Sequence, residues 1–242
     1  TKLNSMIKKL VVVICIISIV SCVTDSKNDI KQLRISIAKQ IANIEGNVAV
    51  AFLDLENKEN SILINVDEKF HAASTMKVPV MIELYKQQAE GKLNLQDSIL
   101  LKNEFKSIVD GSLYTMDIGQ DSDDVIYSKI GSYQVLQDLM YDMVTMSSNL
   151  ATNVLIELVN AKKTTKSMRA LGAKNIEVLR GVEDIKAYKK GLSNSTTAND
   201  LLVIMQAISN DSAGSKEDCT AMIGILKDQK WNDMIPKYLP KK

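Results

Sequence analysis

The fold and the chemistry of this chain are decided by residues 70–80, Phe-His-Ala-Ala-Ser-Thr-Met-Lys-Val-Pro-Val. This pattern predicts a loop that runs into an amphipathic helix, with Ser74 where the helix begins and Lys77 one turn later on the same face. Desolvation lowers the pKa of an ammonium group, and the neutral amine can then accept a serine proton. The helix N-terminus adds partial positive charge and a free backbone N–H beside a developing oxyanion. Ser74 is therefore a candidate nucleophile and Lys77 its candidate proton acceptor.

The spacing is not sufficient by itself. Ser-x-x-Lys also occurs at Ser5–Lys8 and at Ser36–Lys39, where nothing nearby points to chemistry, and short motifs often match by accident. The alternative interpretation is that Ser74 caps a helix whose lysine is solvated. The choice depends on the rest of the chain.

Composition excludes several classes of function. The 242 residues are enough for one large domain or at most two, and the 45% apolar and 24% charged content is typical of globular proteins. A formal net charge of +1 makes nucleic acid an unsuitable partner. The single histidine, His71, cannot build a multi-histidine metal site. Without a Gly-x-Ser-x-Gly elbow, His71 is interpreted as a structural or rim residue and not as the base of a triad.

Residues 1–21 are typical of a targeting segment, with a basic pair at 8–9 followed by the apolar run Leu10–Ile17. The run is too short for a comfortable membrane span. It ends in Ser21-Cys22, which resembles the lipobox of bacterial lipoproteins, in which the cysteine is lipidated and becomes the first mature residue. The resemblance implies a lipid anchor on Cys22 and a periplasmic or extracytoplasmic location on a membrane surface. The alternative is a plain cleaved signal with an incidental cysteine.

Hydrophobic periodicity predicts a single domain over residues 22–242, since we find no internal repeat and no low-complexity linker. The acidic run 121–124 is interpreted as part of a solvated loop, and the length of the loop 175–194 suggests a functional role. A β-hairpin is predicted from strands 48–55 and 61–66. The predicted helices cover residues 29–44, 74–89, 135–144, 150–159 and 162–171, a segment capped by Thr196-Thr197, and about 222–226.

Two further motifs follow the first. Residues 145–149, Thr-Met-Ser-Ser-Asn, form a polar break between two predicted helices, and the long loop then precedes Thr196-Thr197. This order resembles the class A β-lactamases and related penicillin-binding proteins, and residues 146–155 resemble the second-motif helix of that family. The resemblance covers about residues 30–235. It implies an α/β fold, with an all-helical subdomain and an antiparallel sheet flanked by helices. It also implies a monomer that hydrolyses small β-lactams without a metal or organic cofactor.

The resemblance also implies a role for each residue. Ser74 would attack the lactam carbonyl, and Lys77 would take part in proton transfer. Ser147, whose hydroxyl can both donate and accept, would pass a proton to the lactam nitrogen. Asn149 would bind the acylamide side chain of the substrate and help to orient Lys77. The alternative for Ser147 and Asn149 is that they only cap the following helix.

The chain departs from the family pattern at the second motif and in the long loop. Ser148 replaces a structural aspartate, which implies a weakened hydrogen-bond network. Val182 stands where the family has the glutamate that activates the deacylating water, and Glu183 comes one residue later. Glu183 is either that activator or a surface carboxylate. Ser195 replaces the usual aspartate partner of the loop arginine, so Arg180 either lacks a partner or uses Glu183 or Asp184.

The ends of the chain also depart from the family. The family continues into a Lys-Thr-Gly strand, which supplies the second oxyanion N–H, whereas this chain ends at Lys242 before such a motif. The start at Thr1 also looks arbitrary, because Met6 resembles a true start. We therefore expect the chain to be a fragment of a longer protein, truncated before the Lys-Thr-Gly strand.

Two other functions stay open at this point. The displaced Glu183 favours a penicillin-binding peptidase that is acylated by β-lactams but releases them slowly. The absent third motif favours a non-catalytic surface lipoprotein that only binds β-lactams.

Overall fold

A computed structural model describes residues 28–233 and 235–238, and these form two compact units, one up to Val66 and one from Asp67 onward. The predicted signal segment 1–21 and the predicted lipidation site Cys22 lie outside the described residues. Among the helices that are described, none is both long enough and apolar enough to cross a membrane.

Over its described residues, 28–66, the first unit contains one helix and one hairpin. Helix α1 covers residues 28–41, close to the helix predicted from the 3.6-residue spacing of its isoleucines. Strands β1 (Val50–Leu53) and β2 (Ser61–Ile64) pair antiparallel with Val50 opposite Ile64, which confirms the predicted hairpin. Asp54 stabilises the turn because its carboxylate accepts the N–H groups of Glu56 and Asn57.

The described part of the second unit combines a cluster of helices with three short antiparallel strand pairs. These are Phe70–His71 with Ser195–Thr196, Ser98–Leu100 with Tyr133–Val135, and Phe105–Lys106 with Leu113–Tyr114. Together with the first unit this is an α/β fold, as the sequence predicts. The elements in chain order are β3 (Phe70–His71), α2 (Lys77–Ala89), β4 (Ser98–Leu100), β5 (Phe105–Lys106), β6 (Leu113–Tyr114), β7 (Tyr133–Val135), α3 (Leu136–Thr145), α4 (Asn149–Val159), α5 (Ala161–Ala170), α6 (Ile185–Lys189), β8 (Ser195–Thr196), α7 (Ala198–Ser209) and α8 (Lys216–Lys227).

Helix α2 lies at the centre of the second unit and packs against α3, α4, α5 and α8. Most of its residues are buried, from Val80 and Met81 through Leu84, so it is apolar on more than one face. Pro79 is accommodated because α2 begins at Lys77, which places the proline in the first turn, where its missing N–H has no intrahelical partner. A short 3₁₀ turn, Ala73–Met76, precedes the helix and carries Ser74.

Helices α3 and α4 pack against each other and against α2. Met140 and Met143 are fully buried in the hydrophobic core, as their helical spacing predicts. The break between these two helices comes directly after Thr145 and returns the chain toward the start of α2.

Strand β3 pairs with β8, with Phe70 opposite Thr196, and the N–H of Ala72 donates to Asn194 O at 2.9 Å. This pairing brings the segment before Ser74 to the end of the long loop. Helix α7 then begins with a capping box between Thr197 and Asp200, which confirms the predicted cap.

Candidate active site

Ser74 lies at the second position of the 3₁₀ turn, directly before α2, and its side chain is exposed. The first N–H groups of such a turn have no intrahelical acceptor, so the Ser74 N–H can serve an oxyanion. Ala73 has a φ of +45°, a left-handed conformation that is unusual for a residue with a Cβ atom. The turn is therefore held in an uncommon backbone conformation next to the hydroxyl of Ser74.

Lys77 is buried, with 3% of its surface exposed. Its Nζ donates to Ser147 O at 2.6 Å, to Ser147 Oγ at 2.9 Å and to Asn149 Oδ1 at 3.0 Å. These three bonds use all three donors of an ammonium group. Ser147 Oγ donates in turn to Ser74 Oγ at 2.9 Å, so a continuous chain of hydrogen bonds runs from Lys77 through Ser147 to Ser74.

Burial lowers the pKa of Lys77 to about 8, although the carboxylates of Asp121 and Glu183 act in the opposite direction. At that pKa about a tenth of the Lys77 side chains are neutral at pH 7. In the ammonium form Lys77 donates to Ser147, and Ser147 donates to Ser74. A neutral amine can reverse them and accept a proton that starts on Ser74 Oγ.

Ser147 and Asn149 flank the start of α4. Ser147 has a φ of +60°, which turns the chain sharply between α3 and α4. Ser148 is the N-cap of α4, and its Oγ accepts the N–H of Ala151 at 3.3 Å. This capping role falls to Ser148, so Ser147 and Asn149 are free to turn their side chains toward Lys77.

The acidic run 121–124 is solvated only in part: Ser122 and Asp124 are exposed, and the prediction of a solvated loop was wrong for Asp121 and Asp123. Asp121 accepts the N–H groups of Asn149 and Leu150 at 2.8 and 2.9 Å, and Asp123 is only 5% exposed. The network expected to be weakened by Ser148 therefore contains carboxylates from a distant segment. No local sequence pattern marks this role of Asp121, which also accepts the hydroxyl of Tyr127 at Oδ2, at 3.1 Å.

The carboxylate of Glu183 lies on the Asn149 side of the site. Its Oε1 accepts from Asn149 Nδ2 and its Oε2 accepts the N–H of Asp117, both at 3.4 Å. Burial raises the pKa of Glu183, while these two hydrogen bonds act against that rise. Glu183 has a φ of +60°. Val182 packs against the hydrophobic core, so the residue one position later, Glu183, is the one that reaches the site.

The loop on both sides of Glu183 is anchored. Asn153 Oδ1 accepts the Val182 N–H at 2.6 Å, and Asn153 Nδ2 donates to Val182 O at 3.0 Å. Asp184 accepts from Ser107 Oγ and from the N–H of Ile108, both at 2.9 Å. With Val182 and Asp184 held in this way, the carboxylate of Glu183 has a defined position.

Gly181 makes this anchoring possible because a Cβ atom at that position would lie 2.3 Å from Asn153 Oδ1. We expect Gly181→Ala to displace the loop or Asn153, and so to lower the free energy of unfolding by about 1–3 kcal/mol. Urea unfolding of both proteins checks this, and Gly119→Ala is the matched control, because the nearest contact of its added Cβ would be an ordinary 3.4 Å. Equal effects of the two variants would contradict the prediction.

Arg180 is buried, and the acceptors it binds are backbone carbonyls: its Nε donates to Leu192 O and its Nη1 to Gly181 O, both at 2.8 Å. Within the part of the chain that the structure describes, no ion pair joins it to Glu183 or Asp184. Ser195, at the position of the usual aspartate, instead pairs with Glu177 through two backbone hydrogen bonds. Arg180 therefore does not use Glu183 or Asp184 as an ion-pair partner, and backbone carbonyls of the loop hold its side chain instead.

A cleft of about 270 Å³ opens beside Glu183 and is lined by His71, Val182 and Tyr188 among others. His71 is exposed there, as expected for a rim residue. The arrangement as a whole places an exposed hydroxyl, a buried amine of lowered pKa, a bridging hydroxyl and a carboxylate of raised pKa within one network. Such a set can form an ester on Ser74 and activate a water toward it.

Comparison with known proteins is consistent with this geometry. The protein family described as "Beta-lactamase enzyme family" matches residues 30–242. The chain belongs to this family. Beta-lactamase PSE-4 of Pseudomonas aeruginosa is 25% identical over 172 residues, which are 71% of this chain and 52% of that protein. Beta-lactamase CARB-3 of the same organism matches to the same extent. The chain therefore spans about half the length of these two relatives.

Solved structures of similar proteins share the fold. The crystal structure of a beta-lactamase from Sphaerobacter thermophilus DSM 20745 has a TM-score of 0.70 and 26% identity, and the match covers 86% of this chain and 72% of that one. A variant of PBP-A, solved as its acyl-enzyme complex with penicillin G, has a TM-score of 0.67 and 22% identity over 90% of this chain and 74% of its own. The resemblance noted in the sequence is thus confirmed, and with it the α/β fold of the serine beta-lactamases and PBP-A.

Proposed function

We propose that this beta-lactamase family member is a serine hydrolase that opens the β-lactam ring through an acyl-enzyme on Ser74. The observation that carries the proposal is the chain of hydrogen bonds from Lys77 Nζ through Ser147 Oγ to Ser74 Oγ, at 2.9 Å for each step. A cap serine with a solvated lysine would not need the lysine to be buried and bonded to a second hydroxyl.

Acylation begins when Ser74 Oγ attacks the lactam carbonyl. The Ser74 proton passes through Ser147 Oγ to the neutral amine of Lys77, and the N–H of Ser74 stabilises the oxyanion. The C–N bond of the ring then breaks. The ammonium of Lys77 returns the proton through Ser147 to the departing nitrogen, which leaves a neutral amine and an ester on Ser74. Asn149 binds the acylamide group of the substrate.

Deacylation uses the carboxylate on the opposite side of the network. Glu183 accepts a proton from a water molecule, whose oxygen attacks the ester carbonyl and displaces Ser74 Oγ. The raised pKa of Glu183 suits this role, because a more basic carboxylate is the better proton acceptor. The ester C–O bond breaks, the proton held by Glu183 passes to the departing Ser74 Oγ, and the opened acid leaves.

The test is to mix the purified protein with a chromogenic cephalosporin and to follow both colour and protein mass. Hydrolysis over many turnovers, with a transient mass increase that peptide mapping assigns to Ser74, is the expected result. A stoichiometric burst with a stable label on Ser74 would point to the peptidase alternative. If neither a colour change nor a label on Ser74 is observed, the proposal is contradicted and a non-catalytic role remains.

We expect Glu183→Gln to slow deacylation by about 10²-fold and to leave acylation within about tenfold of wild type. The amide keeps the size of the side chain but cannot accept a proton from water. The acyl-enzyme should therefore accumulate in intact-mass spectra. Glu177→Gln is the matched control, since Glu177 lies on the same part of the chain but forms surface ion pairs with Lys69 and Arg169. An unchanged deacylation rate in Glu183→Gln would remove Glu183 from the mechanism.

The second candidate function is a penicillin-binding peptidase that deacylates slowly. It is favoured by the long contacts of Glu183, 3.4 Å at each oxygen, and by the left-handed backbone that brings this residue to the site one position late. A PBP-A variant is also among the solved structures of the same fold, as an acyl-enzyme with penicillin G. In that case the wild-type protein would already retain its acyl group, and Glu183→Gln would add little.

We infer further that the protein is a monomer that acts outside the bacterial cytoplasm, with residues 1–21 as a signal peptide and a lipid anchor on Cys22. The support is the sequence pattern of a basic pair, an apolar run and Ser21-Cys22. Labelled palmitate should be incorporated into the protein in bacterial cells, and Cys22→Ser should abolish that incorporation and release the protein from membranes. Size-exclusion chromatography with light scattering should give the molar mass of a single chain.

A further inference from the structure

Asp121 connects a distant segment to the start of α4. Its Oδ1 accepts the N–H of Asn149 at 2.8 Å and of Asp123 at 3.2 Å. Its Oδ2 accepts the N–H of Leu150 at 2.9 Å and the hydroxyl of Tyr127 at 3.1 Å. Four donors from two separate parts of the chain therefore converge on one carboxylate.

This geometry fixes the first turn of α4. The N–H groups of Asn149 and Leu150 are the first two of an 11-residue helix and have no intrahelical partner. A carboxylate that bonds both, one with each oxygen, is oriented by two charge-assisted hydrogen bonds and favoured by the helix dipole. The residue held most directly is Asn149, whose side chain accepts from Lys77 Nζ and donates to Glu183.

The charge of Asp121 also acts on Lys77. Lys77 forms its hydrogen bonds to neutral groups of Ser147 and Asn149, so its electrostatic partners are the carboxylates that face it without contact. These are Asp121, which has the larger effect, and Glu183 from the long loop. Both favour the ammonium form, against the burial that disfavours it.

The proposal rests on the acylation mechanism given above. We propose that Asp121 is a positioning residue for acylation, which fixes Asn149 and Ser147 at the start of α4 and supplies the counter-charge of Lys77 Nζ. Ser148, the middle residue of the second motif, is uncharged, and the charge comes from a segment that lies before α3. Acylation therefore depends on a contact between residues that are far apart in sequence.

Other titratable groups lie around Asp121, and a test must distinguish the effect of Asp121 on the pH profile from theirs. Tyr127 donates to Asp121, and burial raises the pKa of Tyr127, so it stays protonated over the working range. Asp123 is buried beside Ser148, and burial together with the charge of Asp121 raises the pKa of Asp123. Glu183 also acts on the charge of Lys77, and the exposed Asp117 donates its N–H to Glu183.

The experiment compares Asp121→Asn with wild type in the rate of Ser74 acylation by a chromogenic cephalosporin, measured from pH 5 to about pH 10. Asparagine keeps an acceptor but loses the charge. The ammonium of Lys77 is then less stabilised, so the rising limb of the pH profile should move to lower pH by at least about half a unit. The plateau rate should fall by about tenfold, because one of the two bonds that hold α4 is weakened.

Two further variants separate charge from structure. Asp124→Asn removes a charge from the same segment, but Asp124 is exposed and should leave both the limb and the plateau unchanged. Asp121→Glu keeps the charge and displaces it, so it should lower the plateau without moving the limb. A limb that stays in place in Asp121→Asn, or that moves equally in Asp124→Asn, would overturn the proposal.

A second readout does not depend on acylation. NMR of ¹³Cε-labelled lysines follows the titration of Lys77 itself, assigned by its absence in Lys77→Arg, and Asp121→Asn should lower that midpoint. If wild-type protein is not acylated at all, the proposed function fails while this titration still decides the electrostatic part of the inference. If wild-type protein is acylated and the midpoint is unchanged, only the inference on Asp121 fails.

Discussion

Replacing Ser74 by alanine is expected to abolish both the covalent label and the turnover of a β-lactam, with a loss of about 10⁴-fold or more. The variant lacks the atom that forms the ester, and no other residue of the network can replace it. Ser147 Oγ lies 2.9 Å from Ser74 Oγ, but it is the proton carrier and is bonded to Lys77. Intact-protein mass spectrometry after incubation with a penicillin, together with a hydrolysis assay, measures the two losses.

The variant should fold normally. Ser74 is exposed, and its hydroxyl accepts one hydrogen bond, from Ser147, so its loss costs about 1 kcal/mol or less. Ser36→Ala is the matched control, because Ser36 and Lys39 have the same spacing on the exposed surface of α1. It should retain full activity. A label that persists in Ser74→Ala would show that the nucleophile has been assigned to the wrong residue.

The parts of the site that could be predicted from the sequence are those set by local geometry. Ser74 and Lys77 are three residues apart at the start of one helix, and Ser147 and Asn149 flank the start of another. Helical periodicity placed the second of these helices, α4, correctly, because its buried residues Leu150 and Val154 repeat at helical spacing. The convergence of these two pairs follows once α2 and α4 pack against each other.

The parts that could not be predicted depend on contacts between distant segments. Asp121 looks solvated in sequence because all four of its neighbours at 120–124 are polar or charged, and the segment has no helical or strand period. Its partners, the first amides of α4, are identified only by the tertiary fold. Strands β3 and β8 have two residues each, too few for an alternating pattern, and they exist because they pair with each other.

Glu183 is an intermediate case. Counting along the chain indicated that it lies one residue past the expected position. Whether it reaches the site depends on its φ of +60° and on the bonds from Asn153 to Val182. Left-handed backbone at a residue other than glycine is uncommon and is imposed by surrounding contacts, so no local pattern could have predicted it.

Replacing Lys77 by methionine is expected to lower the rate of Ser74 acylation by about 10³-fold, because the proton of Ser74 then has no basic acceptor. Methionine has nearly the same length, so the buried space stays filled. Lys77→Arg should lose as much, since a guanidinium group does not deprotonate in proteins. Stopped-flow absorbance of a chromogenic cephalosporin gives the acylation rate. Lys86→Met is the matched control: Lys86 also lies on α2 and donates to a serine, Ser167 Oγ, at 3.0 Å, but away from the site.

The direction in which the acylation rate changes with pH tests whether neutral Lys77 is the proton acceptor. The pKa of Lys77 is lowered to about 8 and only the neutral amine accepts a proton, so wild-type acylation should rise with pH through about 8 and level off above it. Below that pH the ammonium predominates and the rate should fall tenfold for each pH unit. In Lys77→Met the residual rate should lack this limb. If Lys77→Met is instead acylated at a rate within about tenfold of wild type, the proton acceptor would be Glu183, another basic group that faces the site.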